Sequence, residues 1–269
     1  MKQASEIIQS IETNKKNLEF LPTGFSILDK QLDGGFMKKE LVVIGAFTGI
    51  GKTILGGQIL YQIAQKGFKT AYFSLEISNE MIVSRLIGQL SNIKPTRIIA
   101  GLLQIEEFDA KAKAKAKITT YDEDMYFYDD LYLMGDLDKA IRDNKYEFVI
   151  VDFIQNIQLT NGMDEYARLS FLSIQLQKLA KEMNCCILVL SQLSNKVGRE
   201  GSKIIEYKGS GSIAMVADLG FLLRRREFET INGNKQEVEL ELLKNRRGIS
   251  GQKFMYDFIH PGGLLVEKL

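Results

Sequence analysis

Histidine is nearly absent from this chain: His260 is the only one. One imidazole cannot build a histidine-rich zinc site or a Ser-His-Asp relay. Cysteine is almost as scarce. Cys185 and Cys186 are neighbours in an apolar, strand-like run, where they read as small buried hydrophobes rather than as a disulfide or a metal pair. No apolar run approaches the roughly 20 residues that span a bilayer. The N-terminal Met1-Lys2-Gln3-Ala4-Ser5-Glu6 also lacks the hydrophobic region of a secretory signal. A cytoplasmic protein with no membrane partner is expected. Neither charge sign dominates, with 35 Lys and Arg against 34 Asp and Glu. The surface as a whole therefore exerts no pull on nucleic acid, and any DNA contact must come from local loops. No internal repeat or Gly/Ser-rich linker marks off a second folded domain.

What is present suffices for one large core. At 269 residues, 45% hydrophobic and 26% charged, the chain is near the upper size of a single domain. Residues 1–17 are polar with Ile7, Ile8 and Ile11 at helical spacing, which predicts a short amphipathic helix that must dock on something. Pro22-Thr23-Gly24 ends it, and Asp33-Gly34-Gly35 turns the chain before the first long strand. Strand-like runs at 41–46, 70–75, 147–152 and 185–190 then alternate with helical stretches at 53–65, 79–90, 136–144 and 169–183. That alternation predicts an α/β fold, a parallel sheet with helices on both faces and ligands at the carboxyl ends of its strands. The last third differs. Runs at 217–224, 236–243 and 253–258 read as strands joined by turns such as Asn232-Gly233-Asn234, giving hairpins that extend the sheet. Residues 111–117 alternate lysine with alanine; positions two apart scatter around a helix, so this reads as a solvated helix face.

The most informative stretch is Leu41-Val42-Val43-Ile44-Gly45-Ala46-Phe47-Thr48-Gly49-Ile50-Gly51-Lys52-Thr53, an apolar strand entering a small-residue loop that ends in Gly-Lys-Thr. Backbone N–H groups of such a loop and of the following helix point at a β-phosphate, the lysine reaches the β/γ oxygens, and the threonine hydroxyl is placed to ligate Mg²⁺. Ala46 stands where the general pattern has glycine. Three apolar strands end in polar residues suited to the same chemistry. Asp152 closes 148–152 and is placed to hold Mg²⁺. Glu76 follows 73–75, where it can act as general base or stabilise the helix starting near Ser78. Gln192 follows 188–191 and can donate to a γ-phosphate. Their convergence on one phosphate loop predicts an ATPase.

These residues carry a resemblance. Leu21-Pro22-Thr23-Gly24-Phe25-Ser26-Ile27-Leu28-Asp29, the loop that starts at Ala46, Phe73-Ser74-Leu75-Glu76-Ile77-Ser78 with Arg85 beyond it, and Val151-Asp152-Phe153-Ile154-Gln155 resemble the RecA-like motor domain of DnaB-type replicative helicases. So do Leu190-Ser191-Gln192-Leu193, Gly209-Ser210-Gly211-Ser212-Ile213 with Ala217-Asp218, and Lys244-Asn245-Arg246-Arg247-Gly248. Alanine at the first loop position is usual in that family. The resemblance implies a RecA-like phosphate-loop NTPase over 21–269, preceded by a linker-like helix over 1–20. It also implies a ring, commonly a hexamer, that hydrolyses ATP with Mg²⁺ at its subunit interfaces and moves 5′ to 3′ on single-stranded DNA during replication. The nucleotide would lie on Ala46, Thr48, Gly49, Ile50, Gly51, Lys52, Thr53 and Arg85, with Thr53 and Asp152 at the metal. Glu76 would be the catalytic base, Gln192 the γ-phosphate sensor, and Lys244 with Arg246 a pair reaching the neighbouring subunit's site.

DNA contacts map onto Lys208, Gly209, Ser210 and Gly211, with a second channel loop over 161–168 that offers Arg168. Lys208-Gly209 replaces the family's common Arg-Glu, and Glu165 stands where an arginine is frequent. Only about twenty residues precede Leu21, so the family's N-terminal collar, which recruits primase, is not expected. A loader or primase stays open as a partner, as do a compact phage- or plasmid-type helicase and an excised motor domain. Two other readings also stay open: a RecA- or RadA-like recombination or repair ATPase, and a non-unwinding adaptor of a larger helicase.

Overall fold

Six buried residues in a row at Leu41–Ala46, and five each at Thr70–Ser74 and Phe148–Asp152, leave no polar face to turn toward water. Such strands fit only inside a sheet covered on both sides. The computed structural model describes residues 3–13, 20–159, 162–193, 211–225 and 235–268. The first half of the chain runs α1 (Ala4–Thr13), β1 (Phe20–Leu21), α2 (Ser26–Gln31), β2 (Phe36–Met37), β3 (Leu41–Ala46), α3 (Lys52–Ala64), β4 (Thr70–Ser74), α4 (Asn79–Ser91), α5 (Pro95–Ala100), α6 (Glu107–Thr119) and β5 (Met125–Tyr128). It continues α7 (Met134–Asn144), β6 (Phe148–Asp152), a 3₁₀ turn at Ile154–Asn156, α8 (Glu165–Glu182), β7 (Cys186–Gln192), α9 (Gly211–Val216), β8 (Leu219–Arg225), β9 (Lys235–Asn245), β10 (Lys253–Ile259) and β11 (Leu264–Glu267).

Among the described residues, nine strands make one sheet in the order β11-β10-β9-β8-β3-β7-β6-β4-β5. From β8 to β5 neighbouring strands are parallel, and β9, β10 and β11 add on antiparallel. Strand alternation splits the core in two. Val42, Ile44, Tyr72, Ile150 and Leu188 pack with Leu55, Ile59 and Ile63 of α3. Leu41, Val43, Phe73, Val149 and Val151 pack with Leu137 and Ile141 of α7 and with Leu169, Leu172 and Leu176 of α8. This α/β sheet, parallel with antiparallel strands at its C-terminal edge, is what the alternation and the late hairpin signals predicted.

Local chemistry fixes the edges of this frame. The Asp29 carboxylate accepts from Thr23 N at 2.8 Å and Thr23 Oγ1 at 2.7 Å, holding the segment before α2. Glu267, at the end of β11, caps α2 from across the chain by accepting from Ser26 N at 2.7 Å and Ile27 N at 2.9 Å. Gly35 has φ 115°, and a Cβ there would lie 2.4 Å from the Leu21 carbonyl oxygen, so only glycine lets β1 and β2 meet.

Several boundaries differ from expectation. α8 starts at Glu165, before 169, because the Asp164 side chain caps it by accepting from Ala167 N at 2.9 Å. α7 likewise starts at Met134, and β7 runs on to Gln192. The lysine–alanine run lies in α6, where Ala114 and Ile118 face the core while Lys113, Lys115 and Lys117 are exposed. β5 and β11, each only four residues long, were not anticipated. α1 forms over Ala4–Thr13, with Ile7 44% and Ile8 56% exposed. The turn expected at Asn232-Gly233-Asn234 lies outside the described residues.

Candidate functional site

The parallel strands all deliver their carboxyl ends to one edge of the sheet, and β3 brings the small-residue loop there. Ala46 ends β3 fully buried, and its carbonyl accepts from Leu193 N at 3.0 Å. Gly49 and Gly51 take φ values of 79° and 114°, backbone that favours glycine. No side chain caps the N-terminus of α3, whose first N–H groups thus remain free to meet an anion. Lys52 is nearly buried, and its ammonium rests over the Phe153 ring, 5.1 Å from the centroid. A cleft of 530 Å³ opens above the loop, lined in part by Thr48, Gly49, Gly51, Lys52, Thr53, Glu76 and Arg85. Ile50 is not in that lining; it packs against the core instead.

Beneath the cleft, Asp152 ends β6 with no solvent exposure. Its Oδ2 accepts from the Tyr72 hydroxyl at 2.7 Å, whereas its Oδ1 is buried without a hydrogen-bond partner. Burial pushes the Asp152 carboxyl above the usual carboxylate range. The Tyr72 and Thr53 hydroxyls and the Lys52 ammonium oppose that shift, and nearby Glu76 adds to it. With one carboxylate oxygen unpartnered and Thr53 and Lys52 close by, Asp152 fits a Mg²⁺ ion, which it and Thr53 would hold together with bound phosphates. Among the described residues, no group of three or more His, Cys, Asp or Glu could hold a metal without such help.

Glu76 lies just before Ser78, whose side chain caps α4, and it projects into the cleft. Its segment is fixed from below: Leu75 N donates to the Asp152 carbonyl at 2.7 Å, and Asn156 Nδ2 donates to the Leu75 carbonyl at 2.8 Å. Gln192 sits at the end of β7, and its Nε2 donates to Thr48 Oγ1 at 2.6 Å. Gln155 holds it there, donating to the Gln192 carbonyl at 3.1 Å and to Ser191 Oγ at 2.9 Å. The expected base, metal carboxylate and sensor thus meet the loop within one hydrogen-bonded edge.

The remaining predicted residues lie elsewhere. Lys244 is near the end of β9 and Arg246 follows it; neither lines the cleft of its own chain. Both reach the end of α9: Lys244 Nζ donates to the Met215 carbonyl at 2.6 Å, and Arg246 Nη1 pairs with Asp218 Oδ1 at 2.8 Å. Burial and the Arg246 charge lower the lysine's pKa, partly opposed by Asp218. Arg168, in the first turn of α8, is partly buried and donates to the Ile157 carbonyl at 2.8 Å. Gly211 begins α9. Lys208, Gly209 and Ser210 lie outside the described residues.

Sequence reasoning missed the far wall of the cleft. Arg225 of β8, Phe258 of β10 and the turn His260-Pro261-Gly262-Gly263 line it, with the Arg225 guanidinium 5.7 Å from the Phe258 ring centroid. No local pattern marks them, because the antiparallel edge carries this late segment back over the loop. Tyr72 was missed as well. Within an apolar strand it reads as one more core aromatic.

Comparison with known proteins places this geometry among relatives. A family model for the DnaB-like helicase C terminal domain matches residues 21–258. The replicative DNA helicase DnaB of Treponema pallidum is 33% identical over 257 residues, covering 91% of this chain and 56% of that protein. DnaB of Geobacillus stearothermophilus is 28% identical over 261 residues, covering 93% and 57%. A probable plasmid replicative DNA helicase of Chlamydia muridarum is 29% identical over 250 residues, covering 88% and 52%. The chain thus spans just over half the length of these relatives. Among solved structures, one described as an ATPase domain shares the fold with a TM-score of 0.84 at 24% identity, covering 98% of this chain and 96% of that one. A DnaB-like replicative helicase, solved in a study of its interactions with primase, shares it with a TM-score of 0.82 at 23% identity, covering 97% and 64%.

Proposed function

The chain belongs to the DnaB-like helicase C-terminal domain family, and from that premise we propose that it is the ATP- and Mg²⁺-dependent motor of a ring-forming DNA helicase of replication, moving 5′ to 3′ on single-stranded DNA. The observation that carries this reading is the junction of the Lys52 loop, Glu76, Asp152 and Gln192 along one sheet edge.

In this reading the free N–H groups at the start of α3 and the Lys52 ammonium bind the β- and γ-phosphates. Thr53 and Asp152 hold Mg²⁺, which when bound neutralises charge on the phosphate oxygens. Glu76 takes a proton from the attacking water, and Arg85, on the same wall, adds positive charge. Gln192 exchanges its Thr48 partner for the γ-phosphate, so its position reports the nucleotide state to the segment that follows β7. Lys244 and Arg246 leave the end of α9 to serve the neighbouring subunit's nucleotide. DNA is held by backbone contacts from the segment containing Lys208, Gly209, Ser210 and Gly211 and from the Arg168 region, giving little sequence preference and a marked salt dependence. The exposed Ile7 and Ile8 of α1 supply the apolar surface that packs on the next copy. The ring is a hexamer, its cellular place is the cytoplasm, and a loader or primase is its further partner.

The deciding experiment is strand displacement on forked duplexes with ATP and Mg²⁺, testing each tail polarity and using Lys52→Ala as the control. Unwinding that needs a 5′ tail and is lost in Lys52→Ala is the expected result. DNA-stimulated hydrolysis without displacement by any oligomer of the chain would instead favour a recombination ATPase or an adaptor.

A further inference from the structure

We propose that Tyr72 is a positioning residue for the metal site: its hydroxyl pins one oxygen of Asp152 so that the other is presented to Mg²⁺. The inference rests on the nucleotide-site reading above and concerns a residue in the middle of β4 that does not touch the cleft.

Tyr72 is fully buried on the α3 side of the sheet, with its ring stacked on Phe127 of β5 at a centroid distance of 6.4 Å. On its way to Asp152 on the adjacent β6 the hydroxyl passes beneath α3 close to Gly56, where even an added Cβ would only touch it. A Cβ at Gly56 would lie 3.7 Å from the Tyr72 oxygen and 3.2 Å from Leu190 Cδ1. The O–H then donates to Asp152 Oδ2 at 2.7 Å, a buried hydrogen bond that solvent exposure does not weaken. That bond fixes the carboxylate plane and occupies Oδ2, while Oδ1, buried and without a hydrogen-bond partner, is the oxygen left for the metal. An apolar core needs no hydroxyl at this position, and phenylalanine would fill the same volume. Groups that orient a metal ligand from outside its coordination sphere are typically worth about 10- to 100-fold in metal affinity.

The test is Tyr72→Phe, which keeps the ring and removes only the hydroxyl. Binding of the non-hydrolysable analogue AMP-PNP is followed across a Mg²⁺ titration and in EDTA, alongside the thermal midpoint. About tenfold more Mg²⁺ should be needed for half-maximal metal-dependent binding, with affinity in EDTA unchanged. In an Asp152→Asn background the same substitution should leave the Mg²⁺ midpoint where it was, because Tyr72 acts through that carboxylate. An unchanged Mg²⁺ midpoint in Tyr72→Phe, with or without a lower thermal midpoint, would reduce Tyr72 to a packing residue and overturn the proposal alone. A wild-type protein whose AMP-PNP binding ignores Mg²⁺ would overturn the site reading and the Tyr72 role together.

Discussion

Gly51 shows how tightly single residues constrain this site. Its φ of 114° disfavours any side chain, and a Cβ there would sit 3.3 Å from the Phe258 ring. Gly51→Ala should therefore lower stability by about 1–3 kcal/mol, the usual cost of such backbone, and weaken nucleotide binding because the loop must shift. Urea unfolding and AMP-PNP titration would check both; an unchanged unfolding midpoint would show that the loop relaxes freely. The residues legible in the sequence share one property. Lys52, Glu76, Asp152 and Gln192 each follow an apolar strand, so a local change of character marks them. Tyr72, Phe258 and His260 carry no such mark. Tyr72 matters through one hydroxyl inside an apolar run, and the other two through a fold-back that no local window contains.

Elements were legible where periodicity is long and hidden where tertiary contacts do the work. β3, β4 and β6 are buried on both faces and stand out as apolar runs, whereas β5 and β11 are four-residue strands defined by their neighbours β4 and β10. α2 is the clearest case of long-range support. It is six residues long, its preceding residue Phe25 offers no side-chain cap, and isolated helices of that length are unstable. Glu267, far away in sequence, supplies the missing acceptor and places a negative charge at the helix N-terminus. Glu267→Ala should lower stability by about 1 kcal/mol, seen as a lower urea midpoint at constant m-value. Should the midpoint stay put, water replaces the carboxylate at no cost and the end of β11 does not clasp α2.

For the whole molecule, the location of Arg246 raises the question of what completes the site. One chain brings the Lys52 loop and Glu76 to the cleft and Asp152 beneath it, yet Lys244 and Arg246 point to the end of α9. The Arg246–Asp218 pair is open to water, with the arginine side chain 46% exposed, and such pairs contribute at most about 1 kcal/mol. It can therefore be exchanged for a triphosphate on a neighbouring copy without a large penalty. If the ring shares its sites in this way, Arg246→Ala should reduce hydrolysis by about 10³- to 10⁵-fold while leaving each subunit's own AMP-PNP affinity intact. Glu76→Gln should be equally inactive for a different reason, having a working finger and no base. Head-to-tail interfaces in a mixed ring then include some where an Arg246→Ala cleft meets a Glu76→Gln finger, about a quarter of them at equal amounts if assembly is random. Hydrolysis should return to roughly that fraction of the unmodified rate if the interfaces act independently. Two inactive proteins that regain activity on mixing require a site built from two chains; proven co-assembly with no recovery would mean that Arg246 serves only its own subunit.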